Sequence, residues 1–120
     1  MQYLLLIYEA EADWNKLTEA ERNQMFGEYH KYTEDIHASG HYVGGNPLQP
    51  THTATTVRVR GGKPSITDGP FAETREQLGG YYLVEAKDLD EATSLAARIP
   101  GAKMGSIEIR PVMPIGRPPT

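Results

Sequence analysis

Asp68 opens the segment Asp68-Gly69-Pro70-Phe71, and the residues after it hold that carboxylate in a fixed place. Gly69 allows a backbone turn that other residues resist, and Pro70 biases Gly69 away from helical geometry. Phe71 is expected to anchor the loop in the core. A carboxylate held this way can serve as a general acid/base or ligand anchor, its pKa raised by apolar surroundings. It can equally cap N–H groups of the following turn, a common role for Asp before Gly. Glu73, Arg75 and Glu76 follow on the same loop. The Arg75 guanidinium could grip a substrate carboxylate with two parallel hydrogen bonds, or pair with a neighbouring Glu at the surface.

The four histidines need a geometric test. His30, Glu34 and His37 stand at i, i+4 and i+7, which stacks them on one helical face with metal-ligand spacing. That face lies roughly 140° from the stripe Met25, Tyr29, Tyr32 and Ile36, so the trio is expected in solvent, without the outer groups that orient metal ligands. No metal site is expected there. His41 and His52 flank the turn-forming segment Gly44–Pro50. Either could swing toward Asp68 or rest as a surface loop histidine. Tyr29, on the inner stripe, can reach a cleft as a weak acid or hydrogen-bond donor. The catalytic candidates are therefore Asp68, Tyr29, His41 and His52, with Gly45, Phe71, Arg75 and Tyr81 as ligand contacts. Gly44-Gly45 offers backbone N–H groups but lacks the helix N-terminus and Lys of a phosphate loop. The sequence shows no Ser-His-Asp order, paired carboxylates of known spacing or nucleotide fingerprint, and no cofactor is expected.

These groups must be positioned by a simple series of elements. Tyr3–Tyr8 is a continuous apolar run, as in a strand covered on both faces. Glu9–Lys16 is mostly polar and reads as a loop carrying Trp14. Thr18 and Glu21 form a capping box that starts a helix over Glu19–Ser39, and Gly40 stops it. His41–Val43 reads as a brief strand before a turn at Gly44–Pro47. Thr53–Arg60 alternates as a strand and turns at Gly61-Gly62, so Lys63–Thr67 returns as the second arm of a hairpin. Pro64 restricts that arm to a place where its nitrogen owes no hydrogen bond. Arg58 and Arg60 form a solvated face that discourages aggregation.

Asp68–Gly80 is irregular, with Gly79-Gly80 marking a bulge or close backbone approach. Tyr81–Ala86 is a strand. A second capping box at Asp88 and Glu91 starts a helix with the stripe Leu89, Ala92, Leu95, Ala96 and Ile99, which Pro100-Gly101 ends. Ser106–Val112 alternates again. The order matches a ferredoxin-like split βαβ plan with an extra hairpin, an α+β fold. Residues 1–115 form one domain and 116–120 a Pro-rich extended tail. Two helices cover one face of such a sheet, and the apolar Tyr3–Tyr8 run then calls for a homodimer packed sheet on sheet.

The segment Thr67–Ala86 (TDGPFAETREQLGGYYLVEA) resembles the YCII-related superfamily, within it the group named for its Asp-Gly-Pro-Phe signature. Further matches are GGNPLQP at Gly44–Pro50, TVR at Thr56–Arg58, DEA at Asp90–Ala92 and IEIRPV at Ile107–Val112, in consistent order over about residues 1–115. The resemblance implies a dimeric α+β barrel of ferredoxin-like subunits. It also implies small enzymes with a proposed His–Asp pair, and relatives that accompany or are fused to sigma factors. The family's His position falls near Tyr29 or His30, and His30 is out of register with the inner stripe. The His–Asp pair is thus incomplete here.

Composition excludes several classes. The chain has 120 residues, no cysteine, and a net charge of −4. One domain suffices for that length, and disulfide scaffolds, thiolate metal sites and cysteine nucleophiles are ruled out. Acidic balance argues against sequence-independent nucleic-acid binding. No apolar run approaches the ~20 residues of a bilayer span, and no signal peptide is recognisable, so a cytoplasmic, membrane-free location is expected. Seven Tyr stand against two Phe and one Trp, a bias suited to a cleft or subunit interface. The leading expectation is a small-molecule acid/base protein centred on Asp68. The alternative is a non-catalytic binding or regulatory module that works with a sigma-factor-type partner.

Overall fold

In the computed structural model, described over residues 1–115, the apolar run forms β1 (Gln2–Glu9) at the centre of a four-stranded antiparallel sheet. Its neighbours are β5 (Gln77–Glu85) and β6 (Ser106–Pro111), and β2 (Tyr42–Pro47) is the edge strand beyond β5. This order, β2-β5-β1-β6, interleaves two split βαβ units and is the ferredoxin-like arrangement. The strands β3 (Thr55–Arg60) and β4 (Lys63–Asp68) form a separate two-stranded sheet. Residues 116–120, read above as a Pro-rich tail, lie outside the described residues.

Helices cover one face of the main sheet. The alternation of β1 places Tyr3, Leu5 and Ile7 inward, where they meet Tyr82 and Val84 of β5. Against them pack Tyr32 and Ile36 from α2 (Glu19–Ala38), and Ala92, Leu95 and Ala96 from α3 (Leu89–Ala97), with Ile99 just beyond. The capping box at Thr18 and Glu21 forms as expected, and Gly40 ends α2 with a φ of +79°. At α3 only half a box forms. The Asp88 carboxylate accepts from the Glu91 N–H, while the Glu91 carboxylate accepts from the Lys87 N–H and pairs with His41.

Four local expectations are corrected. Glu9–Lys16 is not a loop throughout, because Glu11–Lys16 forms a short helix, α1, whose Trp14 packs edge-on against Phe26 at 5.5 Å. Gly44–Pro47 is not a turn but strand, hydrogen-bonded to β5 along its length. The glycines serve there because a Cβ on Gly45 would stand 2.9 Å from the Tyr81 carbonyl oxygen and from the Tyr82 ring. β5 begins at Gln77 rather than Tyr81, and Gly79 is the extra residue of a bulge, since Ile7 pairs with Gly80 and Tyr8 with Leu78. Finally, Phe71 does not reach the core and is 76% exposed. The hairpin it follows projects away from the main sheet, so no core lies beneath the loop.

Candidate functional site

Sheet, α1, the middle of α2 and the chain from Asn46 to Pro50 enclose a cleft of about 550 Å³. This size lies within the range of small-molecule sites, roughly 300–1,000 Å³. Its inner wall is Tyr29, Thr33 and Tyr82, its far wall Trp14 and Phe26, and its floor the glycine-rich start of β5. Two carboxylates, Glu9 and Glu11, line it, and among the described residues no Lys or Arg does.

The polar groups are held by specific partners. Tyr29 Oη accepts from the buried Gly101 N–H at 3.1 Å. Tyr82 Oη and Thr33 Oγ1 lie 2.7 Å apart, and Thr33 also donates to the Tyr29 carbonyl, so the two phenols share one scaffold. Glu11 accepts from the N–H and the hydroxyl of Thr51, while its own N–H donates to Gln77 Oε1. That carboxylate is therefore a strut between α1 and the 3-10 turn at Thr51–Thr53, with little left to offer a ligand. Glu9 takes no hydrogen bond from another described residue and faces the cleft beside Gly79.

Glu9 is also the electrostatically unusual group. Burial pushes its pKa above the ordinary carboxylate value, and the neighbouring charge of Glu76 pushes the same way. The Tyr29 phenol is raised strongly, first by burial and then by Glu9, and Tyr82 is raised by burial. Both therefore keep their protons at neutral pH. A proton-accepting carboxylate beside proton-holding phenols is the pairing acid/base chemistry needs. Because Glu76 contributes to the shift, Glu76→Gln is expected to lower the titration midpoint of Glu9 without restoring the ordinary value. Carboxyl-carbon NMR of labelled Glu residues measures this directly, and an unmoved midpoint would remove Glu76 from the account.

The other residues chosen from sequence are scattered. Tyr81 and Gly45 border the cleft, and Tyr81 Oη accepts from the Asn46 amide. Gly45 is there to let β2 approach β5 closely. Asp68 does not line the cleft; it ends β4 on the projecting hairpin, exposed, and its carboxylate makes no hydrogen bond among the described residues. Neither the acid/base placement nor turn capping is seen for it. His41 is bound between Ser39 at 2.7 Å and Glu91 at 3.1 Å, joining the end of α2 to the start of α3 away from the cleft. His52 and Arg75 are exposed, and Arg75 forms no ion pair with Glu73 or Glu76 among the described residues. His30 borders the cleft but pairs with Glu34 at 2.8 Å in solvent, and His37 stacks on Tyr42. No cluster of metal-ligating side chains occurs among the described residues.

Glu9, Glu11 and Trp14 were not among the candidates. One signal was legible: Glu9 continues the inward alternation Tyr3, Leu5, Ile7, which aims a carboxylate to the side that the apolar residues bury.

Comparison with known proteins gives three findings. The family model described as the YCII-related domain matches residues 1–116. An uncharacterised protein of Rhizobium meliloti (strain 1021) is 46% identical over 67 residues, 54% of this chain and 54% of the relative. The match thus spans about half the length of that curated relative. The solved structure of 5-chloro-2-hydroxyhydroquinone dehydrochlorinase (TftG) from Burkholderia phenoliruptrix AC1100, in complex with 2,5-dihydroxybenzoquinone, superposes with a TM-score of 0.55. It covers 94% of each chain at 16% identity, a likeness of fold. No helix among the described residues is long and apolar enough to cross a membrane.

Proposed function

The chain belongs to the YCII-related domain family, and on that premise we propose that its cleft binds a small, uncharged, hydroxylated ring compound and moves a proton on it through Glu9. The observation that carries this reading is the raised Glu9 carboxylate, free of hydrogen bonds from the described residues, in an aromatic cleft that no Lys or Arg among those residues lines. Such a lining disfavours an anion, which would face two carboxylates in a poorly solvated space. Flat aromatic walls suit a ring, and ring hydroxyls would donate to Glu9 while Tyr29 and Tyr82 supply further polar contacts. The structural relative's substrate, as named for that protein, is a hydroxylated ring of this size.

Glu9, as the carboxylate, accepts a ring hydroxyl proton. The ring then ketonises, and a ring carbon takes a proton from the protonated Glu9 or from water. The net result is exchange of a ring hydrogen with solvent. The role foreseen for Asp68 passes to Glu9.

A test uses 1,2,4-trihydroxybenzene as the probe. Trp14, the single tryptophan, lines the cleft, so its fluorescence reports occupancy. Saturable quenching at sub-millimolar probe is expected, with benzoate at least tenfold weaker, together with protein-accelerated ring deuteration in heavy water. Equal binding of benzoate, or no saturable quenching, would sink the reading.

The functional unit is read as a homodimer. The sheet face opposite the helices presents Leu4, Leu6, Tyr8 and Leu83, all only half-buried in one chain. An apolar sheet face of this kind is covered in stable proteins. Light scattering at micromolar concentration is expected to give twice the chain mass of 13.3 kDa; the single mass would refute the dimer.

A further inference from the structure

The two phenols of the cleft's inner wall differ in where their protons go. A phenol owns one proton and can also accept, so its role is set by neighbours that can do only one of the two. A backbone carbonyl only accepts and a backbone N–H only donates.

Thr33 Oγ1 stands 2.8 Å from the Tyr29 carbonyl oxygen and 2.7 Å from Tyr82 Oη. Thr33 has a single hydroxyl proton, and the carbonyl has none to give. Were that proton turned to Tyr82, two oxygens would face each other at 2.8 Å with no hydrogen between them. The Thr33 proton therefore lies toward the carbonyl, and Tyr82 supplies the proton of the second contact. Tyr82 Oη is left with lone pairs only. Tyr29 is the reverse case: its Oη accepts from the Gly101 N–H at 3.1 Å, and its own proton meets no acceptor among the described residues. Both rings line the cleft. The Glu9 charge acts on the Tyr29 phenol, so carboxylate and free proton share one end of it.

We propose that this opposed pair sorts the oxygens of the bound ring: Tyr29 donates to the one that becomes a carbonyl, and Tyr82 accepts from a hydroxyl that stays protonated. Substrates are then rings with at least two oxygens, one of which can pass to the keto form. This rests on the proton transfer read above for Glu9 and adds where the charge goes. As Glu9 takes the hydroxyl proton, the O–H electron pair stays on oxygen and forms the C=O bond. The ring π pair takes a proton at carbon. Negative charge builds on that oxygen meanwhile, and a donor already in place stabilises it without rearrangement. Tyr82 cannot do this while Thr33 holds its proton. Thr33 is thus a positioning residue that acts through Tyr82.

Two probes test the sorting, with binding read from Trp14 fluorescence. Cyclohex-2-enone offers a ring carbonyl and no hydroxyl proton, and a chain without cysteine gives it no thiol to react with. Tyr29→Phe is expected to weaken enone binding about tenfold, the effect of one hydrogen bond. It should also slow deuteration of bound 1,2,4-trihydroxybenzene by about 10²- to 10³-fold, as when an oxyanion donor is removed. Tyr82→Phe should leave enone binding nearly unchanged and weaken 1,2,4-trihydroxybenzene about tenfold, with the rate of the bound probe kept. Thr33→Val frees the Tyr82 proton, so Tyr29→Phe/Thr33→Val should recover most of the enone affinity lost in Tyr29→Phe. Equal losses in the two Phe variants, or no rescue by Thr33→Val, would overturn the sorting and leave proton transfer by Glu9 standing. Tyr29-dependent enone binding without accelerated deuteration would refute that transfer and leave the two phenols as assigned. No saturable enone binding to the wild-type chain would overturn the sorting as well.

Discussion

Glu9→Gln is expected to slow protein-accelerated deuteration of 1,2,4-trihydroxybenzene by about 10²- to 10⁴-fold, the usual contribution of a positioned general base. The melting temperature at pH 7 is expected to stay level or rise. The first follows from the base role proposed for Glu9, the second from the burial and the Glu76 charge that raise its pKa in the fold. A raised carboxylate pKa means the folded chain tolerates the charge less well than the unfolded chain does. The stability this group contributes is full below its unfolded pKa and is lost as pH rises through the folded one. Gln is neutral and nearly the same shape, so it removes that loss at pH 7 and changes little at pH 3. A structural carboxylate behaves oppositely, because deleting one that holds hydrogen bonds leaves donors unpaired. Glu11 is the internal control: Glu11→Gln should loosen the Thr51 strut and lower the melting temperature. A clear loss of stability in Glu9→Gln with deuteration intact would return Glu9 to a structural role. The pH profile carries the same sign: the rate should rise as Glu9 ionises, with its midpoint above that of an exposed carboxylate.

The contrast between Glu9 and Asp68 shows what local sequence can say about this chain. Strand alternation, the capping box at Thr18 and the stripe Tyr29, Tyr32 and Ile36 are local devices, and each forms as its pattern requires, though Met25 at the head of the stripe does not join the core. Asp68-Gly69-Pro70-Phe71 also has local logic, and Gly69 does take a φ of +100°. Where the turn would point was not local, because it depends on the hairpin leaving the sheet. Phe71 is apolar and was assigned to the core on type alone, yet the core contains no residue from the hairpin. The cleft was hidden for a related reason. Trp14 and Glu11 sit on a six-residue helix in a polar stretch, too short for a helical period to register. The Gly44–Pro47 segment has the composition of a turn and the pairing of a strand, because proximity to β5, rather than chain reversal, excludes side chains there. Tyr29, Gly45 and Tyr81 were legible as cleft residues; of those missed, only Glu9 left a trace, as a charge on the inward side of an apolar strand.

Gly101→Ala is expected to destabilise the protein by about 2–3 kcal/mol, the upper part of the range for forcing atoms into a packed core. At roughly 4 °C per kcal/mol for a chain of this size, the melting point should fall by about 10 °C. A methyl at Gly101 would stand within 2.5 Å of Tyr29 Oη and 3.4 Å from Ile7 Cγ2. Gly101 is buried in the 3-10 turn Pro100–Lys103, and Tyr29 is a rigid ring at the cleft wall, so neither yields easily. The phenol must swing into the cleft and give up the hydrogen bond from the Gly101 N–H. Weaker probe binding should therefore accompany the lost stability. Tyr29→Phe identifies the cause. Alone it should cost about 1 kcal/mol for the lost hydrogen bond. It also removes the atom in the way, and the ring carbon that remains lies 3.7 Å from the added methyl, an ordinary contact. In the Phe background Gly101→Ala should then cost much less, a favourable coupling of about 1–2 kcal/mol in a double-mutant cycle. Additive effects would mean that the glycine is needed for its backbone rather than for the space it leaves to Tyr29. Strong coupling would tie the turn after α3 to the position of a cleft-wall phenol 72 residues earlier in the chain.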